Sequence, residues 1–328
     1  MKTARLAAIT ALFLLPPVAF HAAAQDPAAD YPNRPIRLIT PLPPGGLVDN
    51  FARSLAQHFS ETFKQPVPVE NRTGASGVIA AEATVRSAPD GYTLMLATQA
   101  VLVLNTIAQK TLSYDPLRDF TPISPLFYTP LYVVVHPSVA AKSIKELIVL
   151  ARSQPGKLTF ASIGQGTSVH LATEMFKTQA NVNFVHVPYK GTGPAMVDLL
   201  AGRVDLMFSG GASGLPPVRS GKLRLLASTA ERRTLATPDV PTVAEAGVPG
   251  YEATAWFALV APAGLPRPIV TRLHREAAAM QRLPAAVERF AAAGAEMMPG
   301  TPEDLTARIR AEIPVYTKIM KAAGVAAR

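Results

Sequence analysis

Apolar residues recur along this chain with two periods, one typical of strands and one typical of helices. The stretch PIRLIT is a short run of strand-forming residues, and it leads through PLPPGG into LVDNFARSLAQHFSETF. In that second stretch apolar residues fall at Val48, Phe51, Ala52, Leu55 and Phe59, which is the spacing of one helix face. The pattern therefore predicts a strand, a tight turn and an amphipathic helix over residues 36–63.

The same order of strand and helix repeats over most of the chain. Further strands are predicted at VPVEN, YTLMLAT, LYVVVH, KLTFAS, NFVHVPY, VDLMFS, LRLLAST and ATAWFALVAP. Helices are predicted at VIAAEATVRSA, SIKELIVLARSQPG, SVHLATEMFKTQA, PAMVDLLAGR and in most of the remainder. Ser143 with Glu146, and Thr242 with Glu245, have the spacing of helix-capping pairs, and Thr301 marks the start of the last helix. Strands that alternate with helices indicate an α/β fold with largely parallel sheets.

The chain length and two proline-rich segments indicate two domains. A chain of 328 residues is long enough for about two domains. The segments 116–130 and 235–250 are rich in proline, and they are the candidate crossings between the domains. We therefore predict a first domain formed by residues 25–125 and 239–328, and a second domain formed by residues 126–238.

The first 24 residues have the three parts of a secretory signal peptide. MKTAR is basic, LAAITALFLLPPVAF is apolar, and HAAAQ offers small residues for cleavage after Ala24. Pro16 and Pro17 interrupt the apolar run, which is shorter than the roughly 20 residues that a membrane span requires. No later stretch is long and apolar enough to cross a bilayer, so we expect the mature protein to be soluble and exported.

Composition narrows the possible chemistry. The chain has no cysteine, which excludes disulfides and thiolate catalysis. Its formal charge of +9 is compatible with an anionic ligand, although the basic residues are spread along the chain rather than clustered. No nucleic-acid-binding motif accompanies them, so nucleic acid is not expected as a partner.

Three glycine-rich turns lie between a predicted strand and a predicted helix. They are PPGGLVDN, FASIGQGTSVH and PYKGTGPAM. Glycine lets a ligand approach the main chain closely, and the helix beyond presents unpaired N–H groups at the positive end of its dipole. Such turns favour anions, and in an open α/β sheet they lie at the carboxyl ends of the strands. Two such turns on two domains could clasp one anion between them.

Each enzymatic motif fails at an identifiable position. GQGTSV begins like a dinucleotide-binding fingerprint, but Val169 stands where the third glycine belongs, and no acidic residue follows about 20 positions later. Neither GASG segment completes G-x-S-x-G, and no phosphate-binding loop is present. The six histidines lack metal-site spacing. We therefore expect no enzymatic activity, no metal and no cofactor.

Several longer stretches, taken together and in order, resemble the Bug family, the solute-binding receptors of tripartite tricarboxylate transporters. They are YPNRPIRLITPLPPGG, VENRTGASGVIAAEATVRSAPDGYTLMLAT, YDPLRDFTPIS, VPYKGTGPAMVDLLAGRVDLMF, GKLRLLAST, RR…PDVPTVAEAG and WFALVAPAGLP. The resemblance begins at Tyr31 and covers nearly all of the chain beyond it. It implies a two-domain periplasmic binding protein fold of type II, with a ligand cleft between domains joined by crossover segments. It also implies that the loop after the first strand binds a carboxylate, partly through ordered waters.

The resemblance further implies which residues form the ligand cleft. Carried over by position, they are Leu42, Gly45, Gly46, Val48, Asp49, Thr98, Gln99, Gly164, Gly166, Thr167, Ser168, His170 and Ser209. Three depart from the family pattern, because Leu42 stands where phenylalanine is usual, Val48 where threonine is common, and Ser209 where an acidic residue is frequent. Without an acid at position 209, the cleft favours a plain organic acid over an amino acid.

Structural roles compete with ligand contact at some of these positions. Asp49 would be the third residue of its helix if Gly46 is the cap, where a bond back to the cap N–H is favoured over direct ligand contact. His170 is equally compatible with a buried, hydrogen-bonded role, and Thr167 and Ser168 with helix capping. Trp256, in an apolar strand, is expected in the core.

The combined interpretation is a monomeric periplasmic receptor that captures a small organic acid. The ligand is expected to be a dicarboxylate or an aromatic acid, and the partners are the membrane subunits of a tripartite tricarboxylate transporter. Two alternatives remain open at this point. The loaded protein could instead dock on a membrane-bound sensor histidine kinase, or the chain could be a periplasmic hydrolase.

Overall fold

The computed structural model describes residues 30–325, so the predicted signal peptide, residues 1–24, lies outside the described residues. Ten strands are linked by hydrogen bonds through one long strand, and helices pack against them. Within the described residues, no helix is both long and apolar enough to cross a membrane.

The first lobe begins with two strand–helix–strand units. In chain order its elements are β1 (Arg37–Thr40), α1 (Leu47–Phe63), β2 (Val69–Asn71), α2 (Val78–Val85) and β3 (Thr93–Thr98), followed by a π-helical segment (Ala100–Leu104) and α3 (Asn105–Ala108). β1 pairs in parallel with both β2 and β3. The predicted apolar face of α1 is confirmed, since Phe51, Leu55 and Phe59 are fully buried against the sheet.

A single strand, β4 (Phe120–Val135), runs through both lobes. It pairs antiparallel with β9 (Thr254–Pro262) as far as Pro130, and from Leu131 onward it pairs with strands of the second lobe. The predicted domain boundary at 125/126 remains a prediction, but the change of pairing partner occurs between Pro130 and Leu131.

The strand predicted from Leu131 begins at Phe120, so most of the proline-rich segment 116–130, a candidate crossing between the domains, is strand. Proline has no N–H group and normally interrupts a sheet ladder. Here the register of β4 against β9 shifts next to Pro122 and again next to Pro125. Two local irregularities therefore accommodate the prolines inside a central strand.

The second lobe is an α/β unit. Its elements are α4 (Ile144–Ser153), β5 (Thr159–Ser162), α5 (Ser168–Ala180), β6 (Val185–Pro188), α6 (Thr192–Leu200), β7 (Leu206–Gly210), α7 (Gly211–Arg219) and β8 (Arg224–Ser228). β5 pairs in parallel with β6 and β7, whereas β7 and β8 pair antiparallel with β4. Buried Phe160, Phe176 and Phe208 belong to its core.

The chain returns to the first lobe through residues 229–253. Thr229 anchors this segment, because its N–H donates to Leu131 O (2.9 Å) and its hydroxyl donates to Ala253 O (2.7 Å). The predicted reciprocal bonds between Thr242 and Glu245 form, at 3.0 and 3.1 Å. They close a turn rather than begin a helix, so the helix expected there is absent.

The rest of the chain is mainly helical, as predicted. After β9 come α8 (Arg267–Gln281), α9 (Pro284–Ala292), β10 (Glu296–Met297) and α10 (Pro302–Ala322). Thr301 caps α10 in a capping box with Asp304. α10 packs against β4, the π-helical segment and α5, and so contacts elements of both lobes.

Candidate ligand-binding site

A cavity of about 650 Å³ lies between the lobes, at the carboxyl ends of β1, β3 and β5. Loops that follow these strands provide most of its lining, and the start of β9 closes one side. The lining residues are Pro41, Leu42, Pro43, Thr73, Gly74, Ser76, Gly77, Thr98, Gln99, Ala100, Leu104, Gln165, Gly166, Thr167, Ser168, Ala255, Trp256 and Phe257. This is the position in which open α/β sheets bind ligands.

The described lining contains no Asp, Glu, Lys, Arg or His. Five hydroxyl groups and two carboxamides supply its polar part: Thr73, Ser76, Thr98, Thr167, Ser168, Gln99 and Gln165. Leucine, proline and aromatic side chains supply the rest. A ligand charge would therefore be stabilised by neutral dipoles rather than by an ion pair, while an apolar ligand body could pack against the remaining surface.

Six of the sequence-predicted residues border this cavity, and seven lie outside its lining. The bordering residues are Leu42, Thr98, Gln99, Gly166, Thr167 and Ser168. The others are Gly45, Gly46, Val48, Asp49, Gly164, His170 and Ser209. Val48 is 6% exposed and Ser209 is fully buried, with its hydroxyl 2.9 Å from that of Ser213. Both residues therefore pack behind the loops rather than in the cavity.

The two glycines of the first turn differ in whether the backbone requires glycine. Gly45 has φ +87°, a left-handed conformation that other residues rarely adopt. Gly46 has φ −81° and ψ 174°, which any residue tolerates, and a Cβ there would meet no atom within 4 Å. Neither backbone conformation nor internal packing therefore requires glycine at position 46.

Asp49 is committed to holding the first turn. Its carboxylate accepts hydrogen bonds from Gly45 N (2.9 Å), Arg53 Nε (2.9 Å) and Asn71 Nδ2 (2.8 Å). The Asn71 amide also donates to Leu42 O (3.0 Å), which ties β2 to the cavity loop. Asp49 is only 2% exposed and has the structural role weighed from the sequence, but the N–H that it binds is that of Gly45 rather than that of the cap residue Gly46.

Replacing Asp49 by asparagine is expected to cost about 1–2 kcal/mol of unfolding free energy near pH 7. The Arg53 hydrogen bond, followed by those from Gly45 and Asn71, lowers the pKa of Asp49 to about 2. Because this pKa lies below the unfolded value of about 3.9, the stabilisation is complete above pH ~4 and is lost as the pH falls towards 2. Urea unfolding of both proteins near pH 7 and near pH 3 measures the difference. A difference that stays constant with pH would contradict the assignment.

The second-lobe turn places a helix N-terminus at the cavity. Thr167 caps the 13-residue helix α5, and its hydroxyl accepts from His170 N (3.4 Å) and donates to Gly164 O (2.7 Å). Gly164 and Gly166 have φ +132° and +79°, so the turn depends on glycine at both positions. The first N–H groups of α5 and its dipole therefore favour negative charge next to Ser168.

His170 supports this turn from behind the cavity. It is 2% exposed, and its Nδ1 accepts a hydrogen bond from Gly166 N at 3.0 Å. An acceptor nitrogen carries no proton, so the ring is neutral with its proton on Nε2. Burial lowers the pKa of His170 to about 4, with further lowering from His186 and Lys177.

Sequence reasoning missed a partly buried carboxylate that holds two lining residues. Glu312 of α10 accepts hydrogen bonds from Gln99 Nε2 (2.8 Å), Trp256 Nε1 (2.8 Å) and Arg308 Nε (2.8 Å). Arg308 also pairs with Glu252, in the segment that returns to the first lobe. Burial raises the pKa of Glu312, which Arg308 opposes.

A signal for Glu312 exists in the sequence. The buried residues of α10 include Leu305, Ile309, Tyr316 and Ile319, spaced as one helix face. Position 312 belongs to the same face, so a carboxylate there should be buried and paired. The segment RTGASG gives a second missed signal, since Thr73, Gly74, Ser76 and Gly77 all border the cavity.

Comparison with known proteins decides the family. The model of the tripartite tricarboxylate transporter family receptor matches residues 51–325. The chain belongs to this family. The resemblance deduced from the sequence is thereby confirmed, and the chain is a solute-binding receptor.

Relatives of the receptor cover almost its whole length. The receptor is 38% identical to protein BugT of Bordetella pertussis over 325 residues, which are 99% of each chain. A structure of an R. palustris protein with adipate is 37% identical, with a TM-score of 0.71 over 91% of the receptor and all of that chain. MatC from Rhodopseudomonas palustris with bound malate is 30% identical, with a TM-score of 0.66 over 88% and 99%. The predicted two-domain, type II periplasmic binding protein fold is confirmed by these similarities.

Proposed function

We propose that the receptor captures a small organic acid in the periplasm and delivers it to the membrane subunits of a tripartite tricarboxylate transporter. The observation that carries this proposal is the cavity between the lobes, in which hydroxyls and the N-terminus of α5 meet an apolar wall without an ionised side chain in the described lining. Export through residues 1–24, with cleavage after Ala24, is part of the proposal.

The same lining supports a carboxylate with an apolar body, either a dicarboxylate or an aromatic acid. Thr167, Ser168 and the adjoining N–H groups suit the oxygens of one carboxylate. Leu42, Leu104 and Phe257 border the same space and suit a hydrocarbon chain or ring. Relatives solved with adipate and malate support a carboxylate ligand.

Binding without chemical conversion is the second part of the proposal. Among residues 30–325, Ser76 and Ser168 are the serines that border the cavity, and no imidazole or carboxylate of this range borders it with them. A serine nucleophile needs an adjacent base, and the nearby His170 ring already accepts the Gly166 N–H. The arrangement supports a receptor rather than a hydrolase.

A ligand panel tests the proposal. Calorimetry with adipate, glutarate, malate, benzoate and glutamate should show binding of at least one plain acid, and glutarate should bind more tightly than glutamate. The reason is that the cavity offers no carboxylate to pair with the ammonium group of an amino acid. A ligand at about 100 times its dissociation constant should raise the unfolding free energy by about 2.7 kcal/mol. Preference for glutamate would refute the proposed ligand class. Product formation during incubation with the bound acid would refute binding without chemical conversion.

A further inference from the structure

Two stacked histidines lie behind the cavity loop of the second lobe. The rings of His170 and His186 are nearly parallel, with centroids 4.2 Å apart, and Phe160 stacks on His186 at 4.7 Å. The loop in question is residues 163–167, which we call the α5 loop. Its residues Gln165, Gly166 and Thr167 border the cavity, while the histidines do not.

Each histidine is joined to the α5 loop by hydrogen bonds. His170 Nδ1 accepts directly from Gly166 N at 3.0 Å. His186 Nε2 lies 2.6 Å from Ser162 Oγ, and that hydroxyl in turn contacts both Gly164 N and Gly164 O at 3.2 Å. The backbone of the loop is thus held at both of its glycines by one imidazole pair.

The loop needs this support because its backbone is unusual. Both glycines have positive φ, and the loop has few other bonds of its own, chiefly those of Thr167 with Gly164 O. If Gly166 N lost its acceptor, a partly buried donor would be left without a protein partner, and the loop would tend to rearrange. The position of the first N–H groups of α5 relative to a ligand would change with it.

We propose that His170 is a positioning residue, which holds the α5 loop in its ligand-facing conformation by accepting the Gly166 N–H, with His186 supporting the same loop through Ser162. The term ligand-facing rests on the proposed function, in which the ligand occupies the cavity. The contact with Gly166 itself is a property of the free protein, so it is testable without any ligand.

Two substitutions distinguish the hydrogen-bond acceptor of His170 from the volume that its ring fills. In His170→Asn, the amide oxygen occupies nearly the position of Nδ1 and keeps an acceptor for Gly166 N. His170→Leu fills similar space without an acceptor. Thr173→Val is the matched control, since Thr173 is also fully buried on α5 but its hydroxyl bonds only to Val169 O within the helix.

The first measurement is amide hydrogen exchange at Gly166 in the ligand-free protein. We expect protection similar to wild type in His170→Asn and Thr173→Val, and a loss of protection of about ten-fold or more in His170→Leu. The second measurement is calorimetry with adipate, in which His170→Leu should bind about ten-fold more weakly and His170→Asn within about three-fold of wild type.

The third measurement is the pH dependence of unfolding. Burial lowers the pKa of His170 to about 4, from an unfolded value of about 6.5, so wild-type stability should fall as the pH drops from ~6.5 to ~4. His170→Asn should remove this component. The groups that face the ring are His186 from β6 and Glu174 and Lys177 from α5, and they are unchanged in the comparison. Wild-type stability without this fall would contradict a buried, neutral His170 ring, which the acceptor role of Nδ1 requires.

The outcomes of these measurements distinguish a failure of the positioning role of His170 from a failure of the proposed function. Unchanged Gly166 exchange in folded His170→Leu, or failure of asparagine to restore it, would overturn the positioning role. Equal adipate affinity in His170→Leu and wild type would overturn it as well. If wild type binds no acid in the panel while Gly166 exchange responds as expected, the proposed ligand class fails and the positioning of the loop stands.

Discussion

Replacing Thr98 by aspartate is expected to weaken the binding of an organic acid by more than about 100-fold. Thr98 ends β3 and borders the cavity, and its hydroxyl accepts from Val101 N at 3.3 Å, a contact that an aspartate oxygen can also make. The substitution therefore adds a negative charge with little demand on the fold. Two like charges about 5 Å apart repel by roughly 3 kcal/mol at an effective dielectric constant of about 20. No basic side chain borders the described cavity to offset this repulsion.

The matched control for this prediction is Thr98→Asn, which has the same shape as the aspartate without its charge. We expect the asparagine variant to bind the best acid of the panel within about ten-fold of wild type. Calorimetry on all three proteins, with their apo unfolding curves, measures the effect of charge alone. Equal affinities of the two variants would show that the ligand carries no negative charge near Thr98. Tighter binding of a cation by the aspartate variant would reverse the proposed charge preference.

Replacing Glu312 by leucine is expected to destabilise the receptor by about 2–4 kcal/mol. The substitution leaves the N–H donors of Gln99 and Trp256 buried without their acceptor, and Trp256 is fully inaccessible to solvent. It also leaves Arg308 with Glu252 as its remaining carboxylate partner. Most of the cost comes from the two buried donors that lose their acceptor, because the charged side chains of the network are partly exposed to water. Denaturant unfolding at neutral pH measures the loss.

Glu303→Leu provides the matched control on the same helix. The Glu303 side chain is 69% exposed and lies 3.6 Å from that of Arg267, so its loss should cost no more than about 1 kcal/mol. Glu312→Gln should fall between the two, because one amide oxygen remains to accept a hydrogen bond. Equal costs for the two leucine variants would show that the Glu312 network contributes nothing beyond an ordinary surface glutamate.

The elements of the fold were largely predictable because their signals are local. The helical period of α1, the cap at Thr301 and the alternation of strands with helices depend on residues a few positions apart. The same local reasoning predicted no strand over residues 120–130, because proline is a local signal against strand. Thr242 and Glu245 made their expected bonds, yet no helix followed, since capping bonds alone do not supply the residues that continue one.

The site was predictable to the extent that it is built from turns. Glycine-rich turns after β1 and β5 identified the cleft region, and Leu42, Gly166 and Thr167 border the cavity. Which side chains of a turn face the cavity depends on tertiary packing, which cannot be inferred from a short segment of sequence. His170 follows Thr167 by one helical turn, and only its hydrogen bond to Gly166 places it behind the loop.

The sequence by itself determined the family, the α/β class and the strand-to-helix turns, because these depend on order, period and residue type along the chain. Tertiary structure alone decided that Gln99 meets Glu312, 213 positions later, and that β4 passes through both lobes. It likewise decided that the described cavity has no ionised lining. The physical reason is that burial and pairing of polar groups depend on which distant segments the folded core brings together, and many alternative pairings are compatible with the same local pattern.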